Sequence, residues 1–195
     1  MELKKICVFC GSSLSGNEKF IQAAEALGRV LAGAGLGLVY GGATVGLMGR
    51  LADTVMAAGG MVEGVIPASL FSKEIPHPKI TRLITTPTMH ERKQKMYDMA
   101  DGFIALPGGL GTLDELCEVL TWAQLGLHRK PIGLLNVSGY FDHFLQFLER
   151  ACAEGLMDAK YLGLILREET PEALLRGFET YHAPPVHRWI RRQDR

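Results

Sequence analysis

Apolar residues along this chain follow two rhythms. Ile6-Cys7-Val8-Phe9-Cys10, Leu36-Gly37-Leu38-Val39-Tyr40, Met61-Val62-Glu63-Gly64-Val65-Ile66, Gly102-Phe103-Ile104-Ala105-Leu106 and Pro131-Ile132-Gly133-Leu134-Leu135 are short, nearly unbroken apolar runs. Such runs predict strands covered on both faces. Ile80–Thr85 and Leu162–Arg167 read as two further strands. Between them the apolar positions recur three and four apart, the helical rhythm. Asn17–Ala34 places Phe20, Ile21, Ala24, Leu27 and Leu31 on one stripe, and further helices are predicted to end near Ala58, to span Thr88–Ala100 and to run from Thr112 through Ala123. Tyr140–Ala153 is amphipathic, and Pro171 opens a last helix as a good first-turn residue. Strands alternating with helices predict one α/β domain over residues 1–183, doubly wound, with a mostly parallel sheet and helices on both faces. Residues 184–195 form a basic tail carrying Arg188, Arg191, Arg192 and Arg195.

Composition narrows the function. A chain of 195 residues, 47% hydrophobic, has enough apolar material for a full core. Lys+Arg and Asp+Glu balance at 21 each, so no overall basic field favours nucleic acid. Four cysteines are too few and too scattered for a disulfide framework. Cys7-x-x-Cys10 invites a redox or metal reading, but residues three apart in a strand point to opposite faces, which favours two core thiols. The first apolar run is too short for a signal segment, and nothing resembles a membrane span. A cytoplasmic protein with no membrane partner is expected.

The chemistry concentrates in three glycine-bearing turns, each at the carboxyl end of a strand, where open parallel sheets bind ligands. They are Gly11-Ser12-Ser13, Gly41 to Gly49, and Leu106-Pro107-Gly108-Gly109-Leu110-Gly111-Thr112-Leu113-Asp114-Glu115. The last follows a strand and opens a helix, the geometry that offers backbone N–H groups and a positive dipole end to an anion. None fits G-x-G-x-x-G, and no G-x-x-x-x-G-K-[ST] occurs, so the dinucleotide and Walker fingerprints are missing. Thr112-x-x-Glu115 is also a capping box, which makes Glu115 either a helix cap or a catalytic acid. The wheel places Glu115 about 130° from the Leu113/Leu116/Leu120 stripe, facing the turn. Asp114 and Glu118 add negative charge there, and Arg92 and Lys93 are the cations available to offset it. Arg92 falls between Met89, Met96 and Met99 on the apolar side of its helix, so it needs either a structural ion pair or an anionic ligand. In the 67–79 loop Glu74 is either a solvated carboxylate or a site residue, and His77 reads as a surface residue. The histidines show no ligand spacing, so no metal is expected.

Pro107–Glu115 matches the PGGxGTxxE signature of the Lonely Guy (LOG) family, and Met89-His90-Glu91-Arg92-Lys93 matches its MxxRK element. Cys10-Gly11-Ser12-Ser13, Tyr40-Gly41-Gly42 and Gly46-Leu47-Met48-Gly49 also resemble that family. The resemblance implies a Rossmann-like fold and a phosphoribohydrolase. Such an enzyme cleaves the N-glycosidic bond of cytokinin riboside 5′-monophosphates, often AMP as well, to free base and ribose 5-phosphate. It implies Arg92 and Glu115 as catalytic residues. It places Glu74, Lys93, Gly108, Gly109, Leu110, Gly111, Thr112, Leu113 and Thr121 against the nucleotide, with Ser12 and Gly42 in the neighbouring turns. A homodimer without cofactor is expected. Family members are often labelled lysine decarboxylases, but nothing here argues for a pyridoxal phosphate lysine. The alternative is a non-catalytic nucleotide-binding or sensing module on the same scaffold.

Overall fold

A computed structural model describes residues 2–13, 16–70 and 75–185. Seven strands, β1 (Lys5–Phe9), β2 (Gly37–Tyr40), β3 (Val62–Pro67), β4 (Arg82–Thr86), β5 (Gly102–Ala105), β6 (Ile132–Leu135) and β7 (Ile165–Glu168), form one sheet. Its order is β4-β3-β2-β1-β5-β6-β7, and every neighbouring pair is parallel. The helices are α1 (Glu18–Gly33), α2 (Gly46–Ala57), α3 (Met89–Met99), α4 (Leu110–Gln124), α5 (Asp142–Ala153) and α6 (Pro171–Glu179). The chain winds outward from β1 to β4, then returns beside β1 as β5 and winds the other way. The switch between β1 and β5 opens a crevice at the carboxyl ends of the strands.

Period-two alternation along β1 divides the core. Ile6, Val8 and Cys10 pack with Leu27, Leu51 and Leu174 from α1, α2 and α6. Cys7 and Phe9 pack on the other face with Met96, Leu116 and Val119 from α3 and α4. Both thiols are free and buried in separate layers, as the strand geometry requires. Burial pushes both thiol pKa values up, so neither is a ready thiolate.

Helix starts differ in a telling way. Asn17, Thr88 and Thr170 cap α1, α3 and α6 with their side chains. By contrast α2 and α4 start from Val45 and Gly109, which make no side-chain cap hydrogen bond. The capping box expected at Thr112-x-x-Glu115 therefore does not form. Gly109, extended at φ −95°, ψ −150°, is the N-cap; its carbonyl accepts the Leu113 N–H at 3.1 Å. Thr112 lies inside the first turn and is buried. The same Thr-x-x-Glu pattern does cap α3: Thr88 Oγ1 accepts from the Glu91 N–H at 3.2 Å and donates to Glu91 Oε1 at 2.9 Å.

His77 is a second correction, being buried rather than on the surface. Residues 75–77 lie along the Gly42–Thr44 turn, with Thr44 N–H donating to Ile75 O at 3.0 Å and His77 N–H to Gly42 O at 2.9 Å. This docking turns the imidazole inward, where Nε2 donates to Asp53 Oδ1 at 3.1 Å and Nδ1 accepts the Lys79 N–H at 3.3 Å.

Candidate active site

The three glycine turns interlock at the switch point. Gly11 N–H donates to Pro107 O at 3.1 Å, and Leu47 N–H donates to Gly11 O at 3.1 Å. Gly46, at φ +63°, approaches so closely that a β-carbon would sit 2.4 Å from the Ser12 carbonyl carbon. A β-carbon on Gly108 would lie 2.1 Å from Thr112 Oγ1. Gly46 and Gly108 are thus glycines because the protein itself leaves no room. Gly109 and Gly111 are different: a β-carbon on either meets nothing within 4 Å. Packing does not demand glycine there. What its absence of a side chain provides is open backbone at the start of a helix with no side-chain cap, where orphan N–H groups await an acceptor.

A cleft of about 340 Å³ runs beside this turn, lined among others by Ser12, Leu47, Gly108, Gly109, Phe20 and Tyr140. Tyr140 donates its hydroxyl to Gly108 O at 2.6 Å and meets Phe20 edge to face at 5.2 Å. Sequence reasoning does not single out Phe20 or Tyr140 for the site, because only the fold carries them to this rim. A larger cleft of about 890 Å³ opens near the ends of β6 and β7, but four acids, Asp142, Glu149, Glu168 and Glu169, line it against the single cation Arg167. That charge is hostile to phosphate.

Arg92 points inward, as the wheel predicts, and is 7% exposed. Its Nε donates to Val65 O at 3.0 Å and its Nη2 to Gly41 O at 3.4 Å. Nη2 also lies 3.9 Å from Glu115 Oε1, whose side chain is only 13% exposed. Gly41 is glycine because a β-carbon would stand 2.2 Å from that Nη2. The paired glycines after β2 are the only sequence signal for this role.

The buried stripe of α4 is Thr112, Leu116, Val119 and Ala123, with Cys117 exposed, so it is rotated from the predicted one. This turns Glu115 toward α3 rather than away from the packing surface. Beside it, Lys93 Nζ lies 3.1 Å from Asp114 Oδ2 and 3.2 Å from Glu118 Oε1. Burial by itself would lower the Lys93 pKa, but the two carboxylates outweigh it and hold the ammonium charged, with its pKa raised. Both cations expected from sequence as partners of the acidic first turns are therefore found there.

The remaining candidates divide. Ser12 is exposed on the cleft, and Gly42 adopts φ +82° where its carbonyl anchors His77. Leu110 is 86% exposed at the first position of α4, and Leu113 is half-buried. Thr121 is exposed, bonds its own helix through Cys117 O at 2.7 Å, and lies about 16 Å along the axis from Leu110. It is not brought to the glycine turns. Glu74 and residues 186–195 lie outside the described residues. Among the described residues no three His, Cys, Asp or Glu side chains are grouped to hold a metal, and no helix is long and apolar enough to cross a membrane.

A family model described as "Possible lysine decarboxylase" matches residues 48–178. A probable cytokinin riboside 5′-monophosphate phosphoribohydrolase of Oryza sativa subsp. japonica is 47% identical over 177 residues, covering 91% of this chain and 79% of that protein. A cytokinin riboside 5′-monophosphate phosphoribohydrolase of Arabidopsis thaliana is 47% identical over 178 residues, covering 91% and 82%. Among solved structures, a molybdenum cofactor binding protein from Rippkaea orientalis superposes with a TM-score of 0.68 at 23% identity, over 92% of this chain and 98% of that one. That likeness speaks for the fold alone. With both motifs meeting at one site and this identity over nine-tenths of its length, the chain belongs to the LOG family of cytokinin riboside 5′-monophosphate phosphoribohydrolases.

Proposed function

We propose that this protein hydrolyses the N-glycosidic bond of nucleoside 5′-monophosphates, cytokinin riboside 5′-monophosphates and AMP among them, to free base and ribose 5-phosphate. The observation that carries the reading is the Arg92–Glu115 pair, 3.9 Å apart and largely buried, one turn beyond the open glycines of an uncapped helix. The 5′-phosphate accepts the backbone N–H groups of 109–112, and that remote binding energy positions the ribose. The bond from the anomeric carbon to the base nitrogen breaks through an oxocarbenium-like state, whose positive charge the Glu115 carboxylate stabilises. Water then bonds to the anomeric carbon and gives its proton to Glu115, which passes it to the nitrogen of the departing base, so that the base leaves neutral and the carboxylate is restored. Arg92 supplies positive charge beside the electrons the base takes away. No metal or redox group enters the balance.

Gly108 to Leu113, Ser12, Gly42 and Glu74 complete the nucleotide contacts, with Lys93 adding positive charge where α3 meets α4. The protein acts as a cytoplasmic homodimer, with Thr121 contributing from the outer face of α4. The exposed apolar residues on and after that helix, Leu110, Leu125 and Leu127, support such a contact. The decarboxylase description fits less well. A Schiff-base lysine must lose its proton beside the ligand, but Lys93 is held charged. Burial does lower the pKa of Lys130, yet that residue precedes β6 at the opposite end of the sheet, donating to Tyr97 O at 2.7 Å.

The test is release of free base from AMP and from isopentenyladenosine 5′-monophosphate by the wild type, Glu115→Gln and Arg92→Ala. Glu115 does not cap α4, so glutamine changes charge without touching the helix start. Loss of roughly 100-fold or more in kcat by a folded Glu115→Gln protein is expected. Tight binding of either nucleotide with no release by the wild type would replace the enzyme with a sensing module.

A further inference from the structure

Lys93 sits next to Arg92 on α3, and both face acid from α4. At roughly 100° per residue, Asp114, Glu118 and Glu115 fall within an arc of about 100° on that helix. Three carboxylates therefore crowd the side of α4 that meets α3, Glu115 and Glu118 largely covered and Asp114 at the exposed rim, and like charges four apart repel. The contacts of Lys93 at 3.1 and 3.2 Å are at hydrogen-bonding distance, whereas the neighbouring Arg92–Glu115 pair is loose at 3.9 Å. Only 12% of the Lys93 side chain is exposed. The enclosed space it shares with Phe9, Met96, Tyr97, Glu115 and Glu118 is about 10 Å³, scarcely room for one water and none for a phosphate.

We propose that Asp114 and Glu118 are positioning residues which, by gripping Lys93, lock α3 to α4 at the level of the catalytic pair and so set the separation of Arg92 from Glu115. Lys93 is then a strut rather than a phosphate ligand, and the nucleotide phosphate is left to the backbone of the glycine turn. The proposal rests on the glycosidase reading. Its physical basis is that catalytic geometry tolerates little slack: a displacement near 1 Å can cost about 100-fold in rate. Two carboxylates also keep the ammonium charged, so the grip persists across the neutral range.

The two roles for Lys93 make opposite forecasts. If Lys93 were a phosphate ligand, neutralising its carboxylates in Asp114→Asn/Glu118→Gln would free it and lower KM for AMP at unchanged kcat. A strut instead loses its anchor. The double variant is then expected to show kcat reduced about tenfold or more with KM within about twofold. Adding Lys93→Met to it should cost little more, because the three residues act as one unit. Wild-type kcat with a lowered KM in the double variant would overturn the proposal.

A readout without substrate separates this from failure of the glycosidase reading. The Tm shifts of Arg92→Met and Glu115→Gln should be non-additive in the wild-type background and additive in Asp114→Asn/Glu118→Gln. If the wild type released no base, the glycosidase reading would fall, and this cycle would still decide the strut. Non-additivity that survives in the double variant refutes it.

Discussion

Alanine in place of Gly111 separates the demands of the fold from those of the ligand. The position lies within the first turn of α4, and an added β-carbon meets nothing within 4 Å. Glycine costs up to about 1 kcal/mol against alanine in a helix interior and less in a first turn. In a chain of this size about 1 kcal/mol moves Tm by roughly 2–4 °C, so the variant is expected to melt unchanged or up to that much higher. In the proposed function the phosphate approaches the N–H groups of 109–112, and the methyl group would then occupy part of that open space. A hydrogen bond to a charged group is worth about 1.5–3 kcal/mol. Losing one, at about 1.4 kcal/mol per tenfold, raises KM for AMP roughly 10- to 100-fold.

Thermal unfolding and base release from AMP, measured on one preparation, give both numbers. A Gly111→Ala protein that is no less stable and keeps the wild-type KM would refute the phosphate seat. Gly108→Ala calibrates the experiment, because its β-carbon would stand 2.1 Å from Thr112 Oγ1 and 2.8 Å from the Gly11 nitrogen. It is expected to lose stability together with activity.

Gly41→Ala would place a β-carbon 2.2 Å from Arg92 Nη2 and 3.0 Å from Met48 Sδ, forcing the guanidinium off the Gly41 carbonyl. Overpacking of this kind costs about 1–3 kcal/mol, and kcat is expected to fall about tenfold or more; steady-state kinetics returning wild-type kcat would show that Arg92 needs no such placement. His128 gives a pH dependence. Burial first, and the Lys130 charge, hold its pKa below the ordinary 6.5 against the opposing pull of the Val119 carbonyl. The unfolded imidazole takes a proton more readily, so the contribution is full above pH 6.5 and is lost as pH falls toward the folded value. Urea unfolding in steps from about pH 7.5 to 5 should show a shallower loss in His128→Gln than in the wild type; equal slopes would rule His128 out as the source.

Whatever depends on the period of a single element is legible in the amino-acid sequence. Alternation places the two sulfurs of Cys7 and Cys10 in opposite layers, and the wheel of α3 turns Arg92 inward. What depends on how elements meet is not legible. Thr88-x-x-Glu91 and Thr112-x-x-Glu115 are the same local pattern, yet only in the first does the threonine cap its helix and bond the glutamate. The difference is tertiary: Pro107 and Gly108 are fixed against Gly11, and the unhindered Gly109 lets the chain enter the helix before Thr112 is reached. His77 escapes sequence reasoning for a like reason, since its partner Asp53 comes from α2 and the turn it lies on comes from the end of β2. The rotation of α4 that brings Glu115 against α3 likewise follows from sheet packing and not from the apolar count along the helix.

Under the proposed function, that early start also gives Glu115 a position distinct from the two neighbouring acids. A phosphate bound in the first turn of α4 would be repelled by acids close by, and Asp114 and Glu118 are both held by Lys93. Glu115 stands five residues beyond Leu110, about 7 Å along the axis, which is the scale of the ribose that separates a 5′-phosphate from the anomeric carbon. Were Thr112 the cap, Glu115 would sit in the first turn beside the phosphate and be committed to the helix start. With Gly109 as the cap, the carboxylate lies beyond the first turn and faces Arg92, so in the proposed reaction the helix would serve as both the anion seat and the ruler that spaces the acid from it.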